Sequence, residues 1–69
     1  MSSNIISQII YENRRRLGMS QKDLGNRVGV SNRAVSKWEN GSSEPSTSNL
    51  IAIAKLYEIA PEELLKKLI

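Results

Sequence analysis

The sequence predicts an all-α fold: a compact set of five short helices in one domain covering residues 1–69. Three observations predict it. Apolar residues recur at three- and four-residue spacing along most of the chain, the period of a helix face. The segments marked this way are punctuated by helix signals, with Ser or Pro at their starts and Gly after several of their ends. No segment reads as a strand. At 69 residues the chain lies near the lower limit for independent folding. A chain of that length buries only roughly 60% of its unfolded surface, so its core has to be small and well filled.

The first helix is expected over about residues 4–17, where Ile6, Ile9 or Ile10, Asn13 and Leu17 recur at helical spacing. Ser2 or Ser3 can cap it and Gly18 can stop it. Arg14, Arg15 and Arg16 span most of a turn, so their side chains fan out and cannot face one partner. A solvated helix end, where cations complement the dipole, accounts for one or two of them.

The second helix is expected over 21–28. Ser20 is a good N-cap, and Asp23 three residues on approaches a capping box. Leu24 and Val28 lie one turn apart on the buried face. Gly25 between them costs a helix about 1 kcal/mol relative to Ala, which suggests close approach of another helix there. Gly29 ends the segment in a left-handed conformation, Val30 fills the corner, and Ser31 caps a third helix over 32–39. Val35 and Trp38 point inward from that helix. Asn32, Arg33, Ser36 and Lys37 are left on its outer face.

Asn40 to Ser46 reads as a loop, with Asn-Gly and Pro as breakers. Ser46 or Thr47 caps a fourth helix over 47–57. Leu50, Ile51, Ile53, Ala54, Leu56 and Tyr57 make it apolar on most sides, so it is expected to be the central, most buried helix. Pro61 suits the first position of a fifth helix over 61–68, with Glu62 and Glu63 at its positive end and Lys66 and Lys67 at its negative end. Leu64, Leu65, Leu68 and Ile69 exceed what one terminal helix needs for a single core. Ile59, Pro61, Leu65 and Ile69 are therefore the candidate dimer patch.

Net charge is +3, and it is unevenly placed. Residues 1–43 hold seven bases against three acids, and residues 44–69 hold three against four. A basic half beside a near-neutral half suits a polyanion bound on one side. There is no cysteine and no histidine, so neither disulfides nor the usual soft-metal sites are expected, and no cofactor is implied. The apolar runs are too short to span a membrane, and the N-terminus does not read as a signal peptide. An intracellular soluble protein is the default. No carboxylate pair stands at convincing spacing for catalysis and no small-molecule effector site is evident, so an enzyme is not expected.

At this point the residues resemble a known family, the lambda-repressor-like (XRE) helix-turn-helix domains of phage repressors, Cro proteins and many small bacterial regulators. The carriers are Arg14, Gly18-Met19-Ser20-Gln21 with Leu24, Val28-Gly29-Val30-Ser31, Val35-Ser36-Lys37-Trp38-Glu39-Asn40-Gly41, Pro45, Leu50, Ala54, Leu56 and Leu64. The resemblance covers about residues 6–68 and implies a five-helix domain with the helix-turn-helix at helices two and three. It implies further that Gln21 bonds a DNA phosphate and braces the recognition helix. Asn32, Arg33 and Lys37 match positions that reach base edges, and Ser31 and Ser36 match flanking positions that touch backbone or base. Asn40 and the amides near Gly41, Ser42 and Ser43 match a loop that grips phosphate. Arg14 and Glu39 match a mostly buried salt bridge.

Physical chemistry supports these roles separately. Arg forks onto guanine O6 and N7, and Asn pairs with adenine N6 and N7, each worth about 1–3 kcal/mol of discrimination. Lys37 suits a phosphate as well as a base. Gln, Asn, Ser and backbone amides can hold phosphates without reading sequence.

The expectation is a sequence-specific transcriptional regulator on double-stranded DNA, cytoplasmic and bacterial or phage-encoded. It would act most simply as a repressor, a homodimer on a two-fold operator with one helix of each copy in the major groove. The alternative is an antitoxin-like or other protein-interaction module. Three positions depart from the family pattern: Asn13 where Leu is usual, Gly25 where Ala is usual, and Glu58 where Gly often ends the fourth helix.

Overall fold

The computed structural model describes residues 5–60. Among them are four helices: α1 (Ile5–Arg16), α2 (Gln21–Val28), α3 (Asn32–Asn40) and α4 (Thr47–Leu56). The expected fifth helix over 61–68 and the N-caps Ser2 and Ser3 lie outside the described residues. Compared with expectation, α1 and α4 each end one residue early, whereas α3 runs one residue longer, through Asn40.

Serine starts three of these helices by the same bond. The side chains of Ser20, Ser31 and Ser46 accept from the amides of Asp23, Ala34 and Asn49, each three residues ahead. Each bond satisfies one of the free donors at a helix start. Asp23 completes a capping box by accepting from the Ser20 amide at 3.0 Å. The Ser20 amide, followed by the Ser20 hydroxyl, holds the Asp23 carboxyl below its ordinary pKa.

The helices also end alike. An amide reaches back five residues to a carbonyl in the last turn: Met19 to Arg14 at 3.0 Å, Val30 to Gly25 at 2.8 Å, Ser42 to Lys37 at 3.0 Å and Ile59 to Ala54 at 2.8 Å. This closure needs a left-handed residue just before the donor. Gly18, Gly29 and Gly41 supply it for α1, α2 and α3, and Glu58, with φ 59°, supplies it for α4.

The core is Ile6, Ile10, Leu24, Val35, Trp38, Ile53, Ala54 and Tyr57. Burying each large aliphatic side chain among these is worth roughly 1.5–3 kcal/mol. Two buried polar bonds tie α1 to the rest. Ser7 Oγ donates to the Trp38 carbonyl at 2.8 Å, satisfying an acceptor that the end of α3 leaves free. Tyr57 Oη donates to the Ile10 carbonyl at 3.0 Å.

Two expectations are corrected. The inner stripe of α1 is Ile6, Ser7, Ile10 and Arg14, without Asn13 and Leu17. Leu17 is 43% exposed, because it lies past the last helical turn. Asn13 is half-buried and donates from its amide to the Ile9 carbonyl, a bond within its own helix. Nor is α4 the central helix among the described residues. It buries Ile53 and Ala54, but Ile51, two positions before Ile53 and so on the opposite side, stays 42% exposed. Among the described residues α3 packs on both α1 and α2, and α2 on both α3 and α4.

Candidate nucleic-acid interface

α3 divides cleanly by face. Val35 and Trp38 are buried, whereas Asn32, Arg33 and Lys37 are exposed and Ser36 is half-buried. Among the described residues, none of the Asn32, Arg33 and Lys37 side chains has a hydrogen bond or an ion pair. Their donors and acceptors are free for a ligand: the Asn32 amide offers both kinds, the Arg33 guanidinium five donors and the Lys37 ammonium three. Ser31 Oγ accepts from the Ala34 amide at 3.1 Å, which leaves its hydroxyl proton for a second partner.

The angle between α2 and α3 is set by their corner. A Cβ on Gly25 would stand 2.6 Å from the Val30 carbonyl oxygen and 3.2 Å from the Ser31 carbonyl carbon. What the missing side chain makes room for is therefore the corner's own backbone, not another helix as expected. The Gly25 carbonyl accepts from both Gly29 and Val30, so one residue anchors the whole turn.

Behind α3 a buried polar chain joins three elements. Arg14 Nε donates to Glu39 Oε2 at 2.6 Å and Arg14 Nη2 to Glu39 Oε1 at 3.0 Å. Arg14 Nη1 donates to the Met19 carbonyl at 2.8 Å, holding the turn between α1 and α2. The two charged side chains are only 9% and 7% exposed. The bond to Glu39 raises the guanidinium pKa further, so Arg14 stays charged. Glu39 Oε1 also accepts from Gln21 Nε2 at 3.1 Å. The sequence offers no signal for this last bond, since Gln21 and Glu39 lie 18 residues apart on different helices.

The loop after α3 differs from expectation in one respect. The amides of Gly41, Ser42 and Ser43 all donate to the Lys37 carbonyl, and that of Ser42 also to Asn40 Oδ1 at 2.8 Å. They are engaged in closing α3. What the loop presents is instead the Asn40 amide nitrogen and the hydroxyls of Ser42 and Ser43, all on exposed residues.

Arg15 and Arg16 are exposed and bond within α1, Arg15 to Tyr11 Oη and Arg16 to Asn13 Oδ1. Ile59 is half-buried, with part of its side chain packed against the core. Pro61, Leu65 and Ile69 lie outside the described residues. Ser7 is a further residue of this framework, and a polar residue between Ile6 and Ile10 on the inner face is a readable sequence signal for its buried hydrogen bond.

Comparison with known proteins places this arrangement. A family model described as Helix-turn-helix matches residues 10–64. The chain is 39% identical over 66 residues to the repressor protein C2 of Salmonella phage P22, covering 96% of the chain and 31% of that protein. It is 46% identical over 61 residues to the type II methyltransferase M1.ScrFI of Lactococcus lactis subsp. cremoris, covering 84% of the chain and 16% of that protein. The chain thus spans less than a third of the length of either relative. The crystal structure of the P22 c2 repressor in complex with synthetic operator 9T matches with a TM-score of 0.82 at 38% identity, over 94% of this chain and 98% of that one. The family match spans the buried core from Ile10 to Tyr57 and the whole α2–corner–α3 unit, and the chain belongs to the helix-turn-helix family, in its lambda-repressor-like branch.

Proposed function

We propose that this chain is a sequence-specific, double-stranded DNA-binding transcriptional regulator, a repressor that acts as a cytoplasmic homodimer on a two-fold operator. The observation that carries the reading is the outer face of α3, where Asn32, Arg33 and Lys37 are exposed and unengaged on a helix whose other face is pinned in the core. α3 enters the major groove with its first turn leading, where such helices meet bases. Arg33 and Asn32 read base edges, Lys37 reads a base or grips a phosphate, and Ser36 lines the same face. Gln21, Ser31, Asn40, Ser42 and Ser43 hold phosphates on either side. The basic balance of residues 1–43, seven bases against three acids, favours the polyanion.

The homodimer places two copies of α3 about 34 Å apart, one duplex turn. It is supported by the surplus of apolar residues at positions 64, 65, 68 and 69 and by exposed Ile51. Repression follows from occupying a site that polymerase would otherwise use. The likeness to a repressor bound to an operator supports the same reading.

The test is selection of bound duplexes from a random pool, followed by Arg33→Ala on the selected operator and a scrambled one. Arg33→Ala is expected to cost about 1–3 kcal/mol of preference between them, roughly 5- to 150-fold. An unchanged preference removes Arg33 as a base reader. Failure of the pool to yield any preferred sequence removes the reading itself.

A further inference from the structure

We propose that Glu39 is a positioning residue for the phosphate contact of Gln21: its carboxylate orders the Gln21 amide before DNA arrives. The proposal rests on the DNA-binding reading above. Glu39 stands near the end of α3 and Gln21 at the start of α2, and Gln21 Nε2 donates to Glu39 Oε1 at 3.1 Å.

That bond does three things. It fixes which way the Gln21 amide is turned, because only the nitrogen side can face a carboxylate. It occupies one amide N–H and leaves the second, on a half-buried residue, free to donate to a phosphate oxygen. It also orders a side chain whose rotamer freedom would otherwise be lost on binding, and such ordering in advance strengthens association.

A carboxylate beside a phosphate site would by itself repel DNA. Arg14 removes that conflict: its Nε and Nη2 both bond Glu39, so the acid that holds Gln21 is already neutralised. Arg14 is in turn held by the Met19 carbonyl, at the entrance to α2. The ion pair thereby links the packing of α1, α2 and α3 to the orientation of one DNA-facing amide.

The experiment is a double-mutant cycle, Gln21→Met and Glu39→Gln, read as affinity for an operator selected with the unaltered chain, at a temperature where circular dichroism shows every variant folded. Each single change is expected to weaken binding roughly three- to tenfold. In the Gln21→Met background, Glu39→Gln should cost little more. An equal loss in both backgrounds means that Glu39 acts only by holding α3 in place, and overturns the proposal. If Gln21→Met leaves affinity unchanged, the phosphate role of Gln21 falls and the positioning role with it, while the DNA-binding reading stands. Should Glu39→Gln not fold, side-chain 15N relaxation of the unaltered chain without DNA decides. The Gln21 amide should be nearly as ordered as the backbone, in contrast to exposed Gln8; mobility equal to that of Gln8 overturns the proposal.

Discussion

Glu39 is an acid on the helix proposed to meet a polyanion, and its burial decides how it behaves. An exposed Arg–Glu pair contributes about 0–1 kcal/mol. Here both side chains are under 10% exposed, with two bonds between them and one each to Met19 and Gln21. Removing one partner strands a buried charge. Glu39→Ala is therefore expected to destabilise the fold by about 3–5 kcal/mol, measured by urea denaturation. Replacing Arg14 and Glu39 together by apolar residues of similar volume should recover much of that loss. A cost under about 1 kcal/mol for Glu39→Ala would mean that water reaches the pair as it does at a surface. The pair itself was legible through the family resemblance, which supplied Arg14 and Glu39 by position. The bond from Gln21 was not, because it depends on how α2 and α3 cross, and local pattern carries no such information.

At the scale of elements the sequence was most legible where the physics is local. Ser20 and Ser31 cap the helices they are expected to cap, and of the two candidates for α4 it is Ser46 and not Thr47 that caps, each by a bond that spans only three residues. The inner stripe of α1 was misread because a periodicity of apolar residues cannot anticipate a charged residue drawn inward by a distant partner. Glu58 and Gly25 depart from the family pattern, and each departure has a physical meaning. Glu58 sits in the left-handed conformation that ends α4, with Ile59 bonding back to Ala54. That conformation costs a non-glycine residue about 1–2 kcal/mol, and glycine returns roughly 0.5–1 of it through unfolded-state entropy. Glu58→Gly is thus expected to stabilise the chain by about 0.5–1 kcal/mol, seen as a higher thermal midpoint; a lower one would show that Glu58 makes a compensating contact. Gly25→Ala should act in the opposite sense. It gains about 1 kcal/mol of helix propensity, but its Cβ would meet the Val30 carbonyl at 2.6 Å and push on backbone. Overpacking of that kind costs roughly 1–3 kcal/mol, so a net loss near 1 kcal/mol is expected in denaturant titration. A net gain would mean that the corner can open without strain.

For the whole molecule, the class of fold was readable from helical spacing and caps, but the order of packing was not. Apolar content alone puts α4 at the centre, whereas among the described residues α2 and α3 take that place, each packed on two neighbours. The contact that joins the two ends of the described chain is also one that periodicity could not supply. Tyr57 Oη bonds the Ile10 carbonyl 47 residues away, and the ring is 3% exposed. Burial, followed by the charge of Glu39, pushes the phenol pKa up to about 12 from an ordinary value of 10, while Arg14 and Arg16 pull it down. Because the folded value is the higher, the unfolded chain gives up this proton first. The stabilisation is fully present below pH 10 and is lost as pH rises from 10 through about 12. A gap of this size corresponds to on the order of 2 kcal/mol. The measurement is a comparison of denaturant midpoints for the unaltered chain and Tyr57→Phe. Near neutral pH the Phe variant should be less stable by about 1 kcal/mol, the loss of one hydrogen bond. Between pH 10 and 12 the difference should shrink and then reverse, because phenylalanine has no proton to lose. A difference that stays constant across that range would show that Tyr57 ionises as freely in the folded chain as in the unfolded one, and that the tie between α4 and α1 is open to water.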